Sequence, residues 1–434
     1  MRSLWIAACA AVALAGCAKE APSGRGIAEG PNLLLVSLDT VRADALGAFG
    51  NPRALTPHLD RLARSGVTFS NAIAQASSTL PSHRSMFRSR VASRSTGDEP
   101  MLAEILQGAG WHTVAFTGGG NLSRELGFAV GFDQWEEADG GFGWALPRFA
   151  AWLDAREPGP FFAFLHTYDA HLPYDPPPPW AQRLDPDYQG WVTGAETRPL
   201  CRTLRELPVE EDWSGRTDLS ARDREHVRAL YDAGVAALDS NVGRLVRDLE
   251  ARGLSDDLVI AVMSDHGEEF WDHGSVIHSH TVYQELVHVP LIVVSPEDRG
   301  HGVRGGVVRN LDIAPTLLDA AGLDAVPSHE GTSLRGVLRG AADRNRPAVS
   351  EMRQAKSLID WPWKLIARRE GGELYHLADD PGERRNLARE LEPLAVRLGV
   401  ALGDAVASGE VRELSGEDMS PELVERLKAL GYLE

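Results

Sequence analysis

Short apolar runs alternate with helical patterns along most of this chain, and this alternation restricts the fold to a small set. Each run has the composition of a strand that is buried on both faces of a parallel sheet. The runs are Leu33–Leu38, His112–Thr117, Phe161–Leu165, Leu258–Met263 and Val289–Val294, and the helical patterns cover 56–65, 101–109 and 222–252. This order predicts an α/β fold with a doubly wound, mostly parallel sheet flanked by helices.

Acidic residues and histidines follow three of these runs. Asp39 follows the first run, Asp169 and His171 follow the third, and Asp265 and His266 follow the fourth. In open α/β sheets the functional groups gather at the carboxyl ends of the strands. A single aspartate in such a place is usually a helix cap. Three strand ends of this kind instead predict a cluster of carboxylates and imidazoles. Burial and charge repulsion disfavour such a cluster unless a cation is present.

The stretch from Ser77 to Arg84 places a hydroxyl two residues before a proline. Pro81 suits the first turn of a helix because it lacks an N–H group and has a fixed φ. Thr79 is then predicted at the helix N-terminus, where unpaired N–H groups and the helix dipole favour an anion. Alone this pattern is typical of an ordinary N-cap. Thr79 becomes a candidate nucleophile if a neighbouring group lowers the pKa of its hydroxyl.

A metal ion is the group that best fits this requirement. Asp39, Thr79, Asp265 and His266 form a mixed oxygen and nitrogen donor set. Such a set suits Zn²⁺ or Mn²⁺, and it is a less natural site for Ca²⁺, which remains the alternative. A divalent metal at this site would lower the pKa of the Thr79 hydroxyl and make it a nucleophile.

The charge balance limits the classes of partner. The chain of 434 residues has a formal net charge of −18 and a hydrophobic fraction of 43%, which is that of a folded globular protein. Nucleic-acid binding requires a basic face, so we expect no nucleic-acid partner. An anionic substrate must be held against this overall charge by local positive groups or by a metal.

The N-terminus has the pattern of a targeting segment. Arg2 precedes an apolar stretch over 4–15 that is too short to span a bilayer, and Leu14-Ala15-Gly16-Cys17 resembles a bacterial lipobox. We therefore expect a signal peptide over 1–17, lipidation of Cys17 and a tether over 18–30. The protein would be anchored in the membrane by this lipid in the bacterial cell envelope, on the periplasmic side or in the outer membrane. A plain secretory signal with an incidental cysteine is the alternative.

Eight stretches, taken in order, resemble the sulfatase family of the alkaline-phosphatase superfamily. They are 31–44, 77–87, 164–174, 264–274, 278–293, 309–323, 373–387 and 427–433. The resemblance implies a large catalytic α/β domain over 31–325 and a C-terminal subdomain over 326–434. The residues themselves predict an antiparallel hairpin in that subdomain, since 364–369 and 373–377 flank a Glu-Gly-Gly turn.

The resemblance also implies roles for individual residues. Asp39, Asp265 and His266 match metal ligands, and Thr79 matches the nucleophile. His171 matches a histidine that handles the leaving group, and His280 falls where the family has a basic residue that contacts the substrate anion.

Several further positions leave alternatives open. His83 and Arg84 both lie about one helical turn from Thr79, so either could hold the substrate anion. Asp169, His171 and His280 could bind a second metal, as in two-metal members of the superfamily. The histidines of the loop over 273–280 could instead support the ligands or lie on the surface.

The departures from the family pattern bear on the mechanism. Sulfatases carry a cysteine, or sometimes a serine, two residues before the proline and an arginine two residues after it. Thr79 and His83 occupy these places here, and threonine cannot become formylglycine. We therefore expect a metal-dependent hydrolase of sulfate or phosphate esters that forms a covalent Thr79 intermediate. A phosphoglycerol- or phosphoethanolamine-type headgroup transferase and a non-catalytic envelope binding protein are the alternatives.

Overall fold

The computed structural model describes residues 29–205, 219–298, 300–369 and 371–406. The predicted signal peptide, the predicted lipidation site Cys17 and the family-like stretch 427–433 lie outside these residues. Within them, no helix is both long enough and apolar enough to cross a membrane.

Strands and helices alternate through the first three quarters of the chain. The strands are β1 (Asn32–Leu38), β2 (Val67–Ile73), β3 (His112–Thr117), β4 (Gln134–Glu137), β5 (Phe161–Thr167), β6 (Leu258–Met263), β7 (Glu269–Phe270), β8 (Val276–Ile277), β9 (His288–Val289), β10 (Leu291–Val294), β11 (Gly302–Arg309), β12 (Ala348–Glu351), β13 (Ala355–Asp360), β14 (Trp363–Arg368) and β15 (Gly371–His376). The helices are α1 (Pro57–Ser65), α2 (Thr79–Arg88), α3 (Leu102–Gly108), α4 (Gly141–Ala155), α5 (Trp180–Leu184), α6 (Gly194–Arg205), α7 (Ala221–Ala251), α8 (Gln284–Val287), α9 (Ile313–Ala320), α10 (Arg335–Leu338) and α11 (Glu392–Ala405).

The large sheet has the strand order β11-β2-β10-β6-β1-β5-β3-β4, with β9 paired to β2. Strand β1 lies at its centre, parallel to both β5 and β6. Its side chains alternate between two cores, because Leu33 and Leu35 pack in one apolar cluster while Leu34 and Val36 pack in another. The predicted doubly wound, mostly parallel α/β fold is confirmed.

The direction of the chain after β6 departs from the simple pattern. The run 289–294 is interrupted at Pro290, which cannot donate a ladder hydrogen bond. The chain therefore forms two short strands, and β10 pairs antiparallel with both β6 and β2. The predicted single strand over 289–294 is wrong in this detail, although its residues lie in the sheet.

The C-terminal part forms a second, antiparallel sheet with the order β12-β13-β14-β15. The predicted hairpin is confirmed, since β14 and β15 pair with Leu365 opposite Leu374. Helix α11 covers this sheet through Leu398 and Leu402, which pack in the same apolar cluster as these two leucines. The boundary at 325/326 remains a prediction.

Candidate active site and metal centre

Thr79 is the first residue of α2, and Ser78 precedes it as an N-cap residue in extended conformation. The Thr79 hydroxyl donates to Asp39 Oδ2 over 3.1 Å and lies 3.2 Å from His266 Nε2. The Ser82 hydroxyl donates to the carbonyl oxygen of Asp265 at 2.7 Å. This bond joins the first turn of α2 to the loop after β6, so the nucleophile candidate has a fixed position relative to the strand ends.

The strand ends bring the three predicted ligand side chains together. Asp39, at the end of β1, and Asp265 and His266, just beyond β6, are fully buried. One ligand atom from each lies within 4.8 Å of those of the other two. The parallel pairing of β1 and β6 explains this, because it brings both carboxyl ends to the same edge of the sheet.

The chemistry of this cluster fits a divalent cation. Asp39 Oδ1 and both carboxylate oxygens of Asp265 are buried without a hydrogen-bond partner, although buried polar atoms are nearly always paired. Burial raises the pKa of Asp39 to about 7, against the opposing effect of His266. Burial and the Asp39 charge also raise the pKa of Asp265. A cation among these oxygens would remove the repulsion and supply the missing partner.

His266 is oriented by its backbone contact. Its Nδ1 lies 2.9 Å from the carbonyl oxygen of Gly267, to which only a protonated nitrogen can donate. The Nε2 atom then faces Thr79 and Asp265, at 3.2 Å from the Thr79 hydroxyl. Imidazoles that bind metals commonly have this arrangement, with the other ring nitrogen fixed by a backbone carbonyl.

His83 lies beneath the first turn of α2 and is fully buried. Its Nδ1 lies 2.9 Å from the carbonyl oxygen of Thr79, and its Nε2 lies 2.9 Å from the hydroxyl of Ser37. Burial lowers its pKa to about 4, so the ring is neutral near pH 7. This placement favours a supporting role for His83 over the direct substrate contact expected from the sequence.

Arg84 lies on a different face of α2 from Thr79. Five residues separate them, which is about 140° around a helix of 3.6 residues per turn. Burial and the neighbouring charge of Arg88 lower the pKa of Arg84. The helical geometry therefore separates the backbone positions of Arg84 and Thr79, and the contact of Arg84 with the substrate anion remains a prediction.

His171 lies where the metal centre meets an open cleft. The cleft has a volume of about 470 Å³, and Tyr168, Asp169 and His171 are among its lining residues. The ring of His171 is 5.1 Å from that of Tyr168 and 5.0 Å from that of His278. Its Nδ1 donates to the carbonyl oxygen of Leu172 over 2.7 Å. Burial, reinforced by His278, lowers the pKa of His171 to about 3.

The second-metal set expected from the sequence is not assembled. The Asp169 carboxylate accepts from the backbone N–H of Phe142 at 3.2 Å, at the start of α4. His280 Nε2 lies 2.7 Å from Glu269 Oε2 at the rim of the site. Among the described residues, the set of three such side chains close enough to share an ion is Asp39, Asp265 and His266. Asp169, His171 and His280 are therefore not brought together as ligands.

Two further histidines lie next to the ligands. His278 belongs to the loop that was expected to support the ligands or lie on the surface, whereas His166 was not identified from the sequence as part of the centre. His166 Nε2 lies 3.1 Å from Asp39 Oδ2, and its Nδ1 accepts from the N–H of Gly118 at 3.3 Å. His278 Nδ1 lies 2.8 Å from Glu268 Oε1, and its ring is 4.5 Å from that of His266. The position of His166 at the end of β5, beside β1, was the signal that could have identified it.

Comparison with known proteins shows the family that this chain resembles. The Sulfatase family model matches residues 31–323, and the model for the C-terminal region of N-sulphoglucosamine sulphohydrolase matches residues 272–401. The chain is 26% identical to a Δ4,5-hexuronate-2-O-sulfatase of Bacteroides thetaiotaomicron, over 87% of this chain and 88% of the relative. It is 24% identical to an N-acetylglucosamine-6-O-sulfatase of the same organism, over 88% and 86%.

Solved structures have the same fold. The phosphonate monoester hydrolase of Agrobacterium radiobacter superposes with a TM-score of 0.71 at 21% identity, over 86% of this chain and 94% of that chain. A protein in complex with its substrate D-glucosamine-2-N,6-O-disulfate superposes with a TM-score of 0.72 at 20% identity, over 87% and 98%. Since the family model covers well over half of the residues, this chain belongs to the sulfatase family.

Proposed function

We propose that this protein hydrolyses sulfate or phosphate esters in a divalent-metal centre, with Zn²⁺ or Mn²⁺ favoured, through a covalent intermediate on Thr79. One observation carries the proposal: the Thr79 hydroxyl bonds to Asp39 Oδ2 within a cluster of buried carboxylate oxygens that lack partners. The sulfatases and the phosphonate monoester hydrolase among the similar proteins support this class of reaction.

Asp39, Asp265 and His266 would hold the cation together with Thr79. When bound, it would neutralise the two carboxylates and act as a Lewis acid towards the substrate. The chain itself contributes the position of the nucleophile. Thr79 Oγ1 stands at the N-terminus of α2, where backbone N–H groups and the helix dipole favour the negative charge of a sulfuryl or phosphoryl group.

In the first step Thr79 Oγ1 forms a bond to sulfur or phosphorus, and its proton passes to solvent water. Asp39 Oδ2, at 3.1 Å, accepts the hydrogen bond of the hydroxyl and so orients its oxygen for attack. The bond from sulfur or phosphorus to the leaving oxygen breaks, and that oxygen takes a proton from His171. His171 has a lowered pKa in the substrate-free chain, so the arriving anion must raise this pKa before the histidine can act as an acid.

The second step distinguishes threonine from formylglycine. A hydrated aldehyde can expel a sulfate group through its second hydroxyl, but threonine has no second hydroxyl. Water must therefore attack the sulfur or phosphorus of the Thr79 ester, which releases inorganic sulfate or phosphate and restores the hydroxyl. Attack by an alcohol in place of water would make the protein a headgroup transferase, the alternative outcome.

Matched substrates test the proposal. An aryl sulfate, a phosphate monoester, a phosphate diester and a phosphonate would be assayed with and without Zn²⁺, Mn²⁺ and Ca²⁺. We expect Thr79→Ala to lose activity and Thr203→Ala, an exposed threonine on α6, to keep it. Full activity in Thr79→Ala would exclude the covalent intermediate. Transfer to an added alcohol acceptor, without release of inorganic anion, would favour the transferase.

We also propose that Cys17 is lipidated and anchors the protein in the cell envelope. The lipobox-like sequence Leu14-Ala15-Gly16-Cys17 at the end of an apolar stretch supports this. Cys17→Ser should move the protein from the membrane fraction to the soluble envelope fraction. An unchanged membrane association in Cys17→Ser would contradict the anchor.

A further inference from the structure

A second cleft, of about 510 Å³, lies away from the metal centre and is rich in arginine. We name it the arginine cleft; its lining includes Arg53, Arg222, Arg224, Arg228, Phe270 and Trp271. Four guanidinium groups around one cleft are unexpected in a chain whose formal net charge is −18. Clefts of this size accommodate one or two sugar rings or a comparable ligand.

The carboxylates in this region do not match the arginines one to one. Arg53 and Arg228 both pair with Asp232, whose side chain is only 1% exposed. Asp185 is shared in the same way, because it accepts from both Arg222 and His226. Arg228 also lies 3.8 Å from Asp44, and these contacts hold the guanidinium groups in place. Glu225 is the further acidic residue that lines the cleft.

Arg224 is the arginine whose surroundings point most directly to a ligand. Its Nε atom is buried without a hydrogen-bond partner. Its guanidinium stacks on the ring of Trp271 at 5.4 Å, which orients the planar fork. An oriented guanidinium with an unused donor is the group that binds sulfate or phosphate oxygens in pairs.

The arginine cleft is linked to the metal centre through a layer of aromatic rings. The Tyr231 hydroxyl donates to the carbonyl oxygen of Thr40, next to the ligand Asp39, at 3.0 Å. The ring of Tyr231 lies 4.8 Å from that of Phe270, which lines the cleft. Buried Tyr231 and partly buried Phe270 therefore separate the cleft from the backbone next to Asp39.

We propose that the arginine cleft binds a sulfate or phosphate group on a saccharide chain, at a position separate from the metal centre. The proposal rests on the proposed function, since it assumes that the hydrolysed ester belongs to a chain with further anionic groups. The oxyanion pairs with Arg224 and the neighbouring guanidinium groups, and the Trp271 ring provides an apolar wall for the sugar. The cleft would hold the chain while the metal centre acts on another of its esters.

Binding to the catalytically inactive variant Thr79→Ala tests the cleft independently of turnover. The probes are dextran sulfate, dextran phosphate and unmodified dextran of matched length, measured by calorimetry at two salt concentrations. We expect the two anionic polymers to bind and the neutral one not to bind. Adding Arg224→Gln should weaken the binding about fivefold or more and reduce its salt dependence, because one guanidinium contact is lost.

Arg64→Gln, at an exposed position on α1, is the matched control and should bind like the parent. Arg224→Gln in the otherwise unchanged protein should hydrolyse a small aryl ester at the normal rate, since Arg224 does not contact the metal centre. Equal binding with and without Arg224→Gln, or binding of neutral dextran as tight as that of the anionic polymers, would overturn the proposal. Absence of hydrolysis by the unchanged protein would instead count against the proposed function.

Discussion

Lys364 Nζ lies 2.8 Å from Glu383 Oε1, and both side chains are fully buried. Lys364 also lies 3.2 Å from Gln284 Oε1, and Glu383 Oε2 accepts from the backbone N–H of Gln284 at 2.6 Å. His273 Nε2 donates to the carbonyl oxygen of Glu383 at 3.1 Å. The C-terminal part of the chain is thus bonded, through Lys364 and Glu383, to both ends of the segment that carries His278 and His280.

Lys364→Met should destabilise the fold strongly. Removing one partner of a buried ion pair leaves the other charge uncompensated, at a cost of about 3–5 kcal/mol. Adding Glu383→Leu should recover a large part of this loss, because no buried charge then remains. Urea unfolding of the single and double variants measures both effects. Arg385→Met breaks the exposed pair with Glu390 and should cost less than about 1 kcal/mol. Equal losses of unfolding free energy in Lys364→Met and Arg385→Met would contradict the assignment of Lys364 and Glu383 as a buried ion pair.

The covalent intermediate should be observable directly. We expect acid quenching during turnover to leave a sulfated or phosphorylated peptide that contains Thr79, detected by mass spectrometry. Thr79→Ser retains the hydroxyl, so it should form the same ester at the same position. A quenched enzyme whose ester lies on another residue would exclude Thr79 as the nucleophile, provided that turnover was in progress.

In the metal-free protein, the contribution of Asp39 to stability should fall as the pH rises from about 4 to about 7. The buried His83 and His171 act in the opposite direction, because their lowered pKa values make the folded state more favourable as the pH rises. The pKa of Asp39 is raised from 3.8 to about 7 in the folded chain, so the folded state binds this proton more tightly than the unfolded state. Protonation of Asp39 therefore contributes its full free energy of stabilisation below pH 3.8, and this contribution is lost as the pH rises through about 7. Denaturation in a chelator at several pH values, compared between the unchanged protein and Asp39→Asn, isolates this contribution: the stability difference between the two proteins should change with pH in this range.

The stabilisation of the protein by bound metal should increase with pH, in contrast to the contribution of the Asp39 proton. Bound carboxylates must be deprotonated, so metal binding displaces protons from the site and tightens as the pH rises towards 7. Calorimetry in two buffers of different ionisation enthalpy measures the protons released. The stabilisation by Zn²⁺ or Mn²⁺ should increase from roughly pH 5.5 to roughly pH 7.5, an interval that contains the Asp39 pKa of about 7. If it does not increase, ligation by Asp39 is contradicted.

The role of His171 should depend on the leaving group. His171→Gln should slow the release of an alkyl alcohol by about 10²–10⁴-fold, because a poor leaving group needs the proton. The release of nitrophenol, a good leaving group, should change much less. His301→Gln, at an exposed position, is the control. Equal effects of His171→Gln on both substrates would assign His171 to positioning and not to proton transfer.

The predicted site positions that the structure brings together followed from local patterns, and those that it does not bring together depended on tertiary contacts. Thr79, Asp39, Asp265 and His266 follow strands or begin a helix, and parallel pairing brings such positions to one edge. The Asp169 carboxylate is held by the backbone N–H of Phe142 at the start of α4, and the apolar pattern of the sequence did not indicate this helix.

Positions outside the strand ends were harder to predict. The helical period could have separated His83 from Arg84, since four residues return to the same face and five do not. No local pattern gives the path of the loop that pairs His280 with Glu269. The reversal of β10 also depends on its neighbours, because strand direction is a property of the assembled sheet.

The alternation of side chains along β1 means that this one strand both fills the two cores and positions Asp39. Its odd and even residues fill separate cores, and the same two-residue period sets the side on which Asp39 emerges. Deleting a single residue from this strand would exchange the contents of both cores and turn Asp39 away from its partners. Insertions and deletions should therefore be tolerated in the loops around the clefts, where specificity can diverge, and rejected in β1.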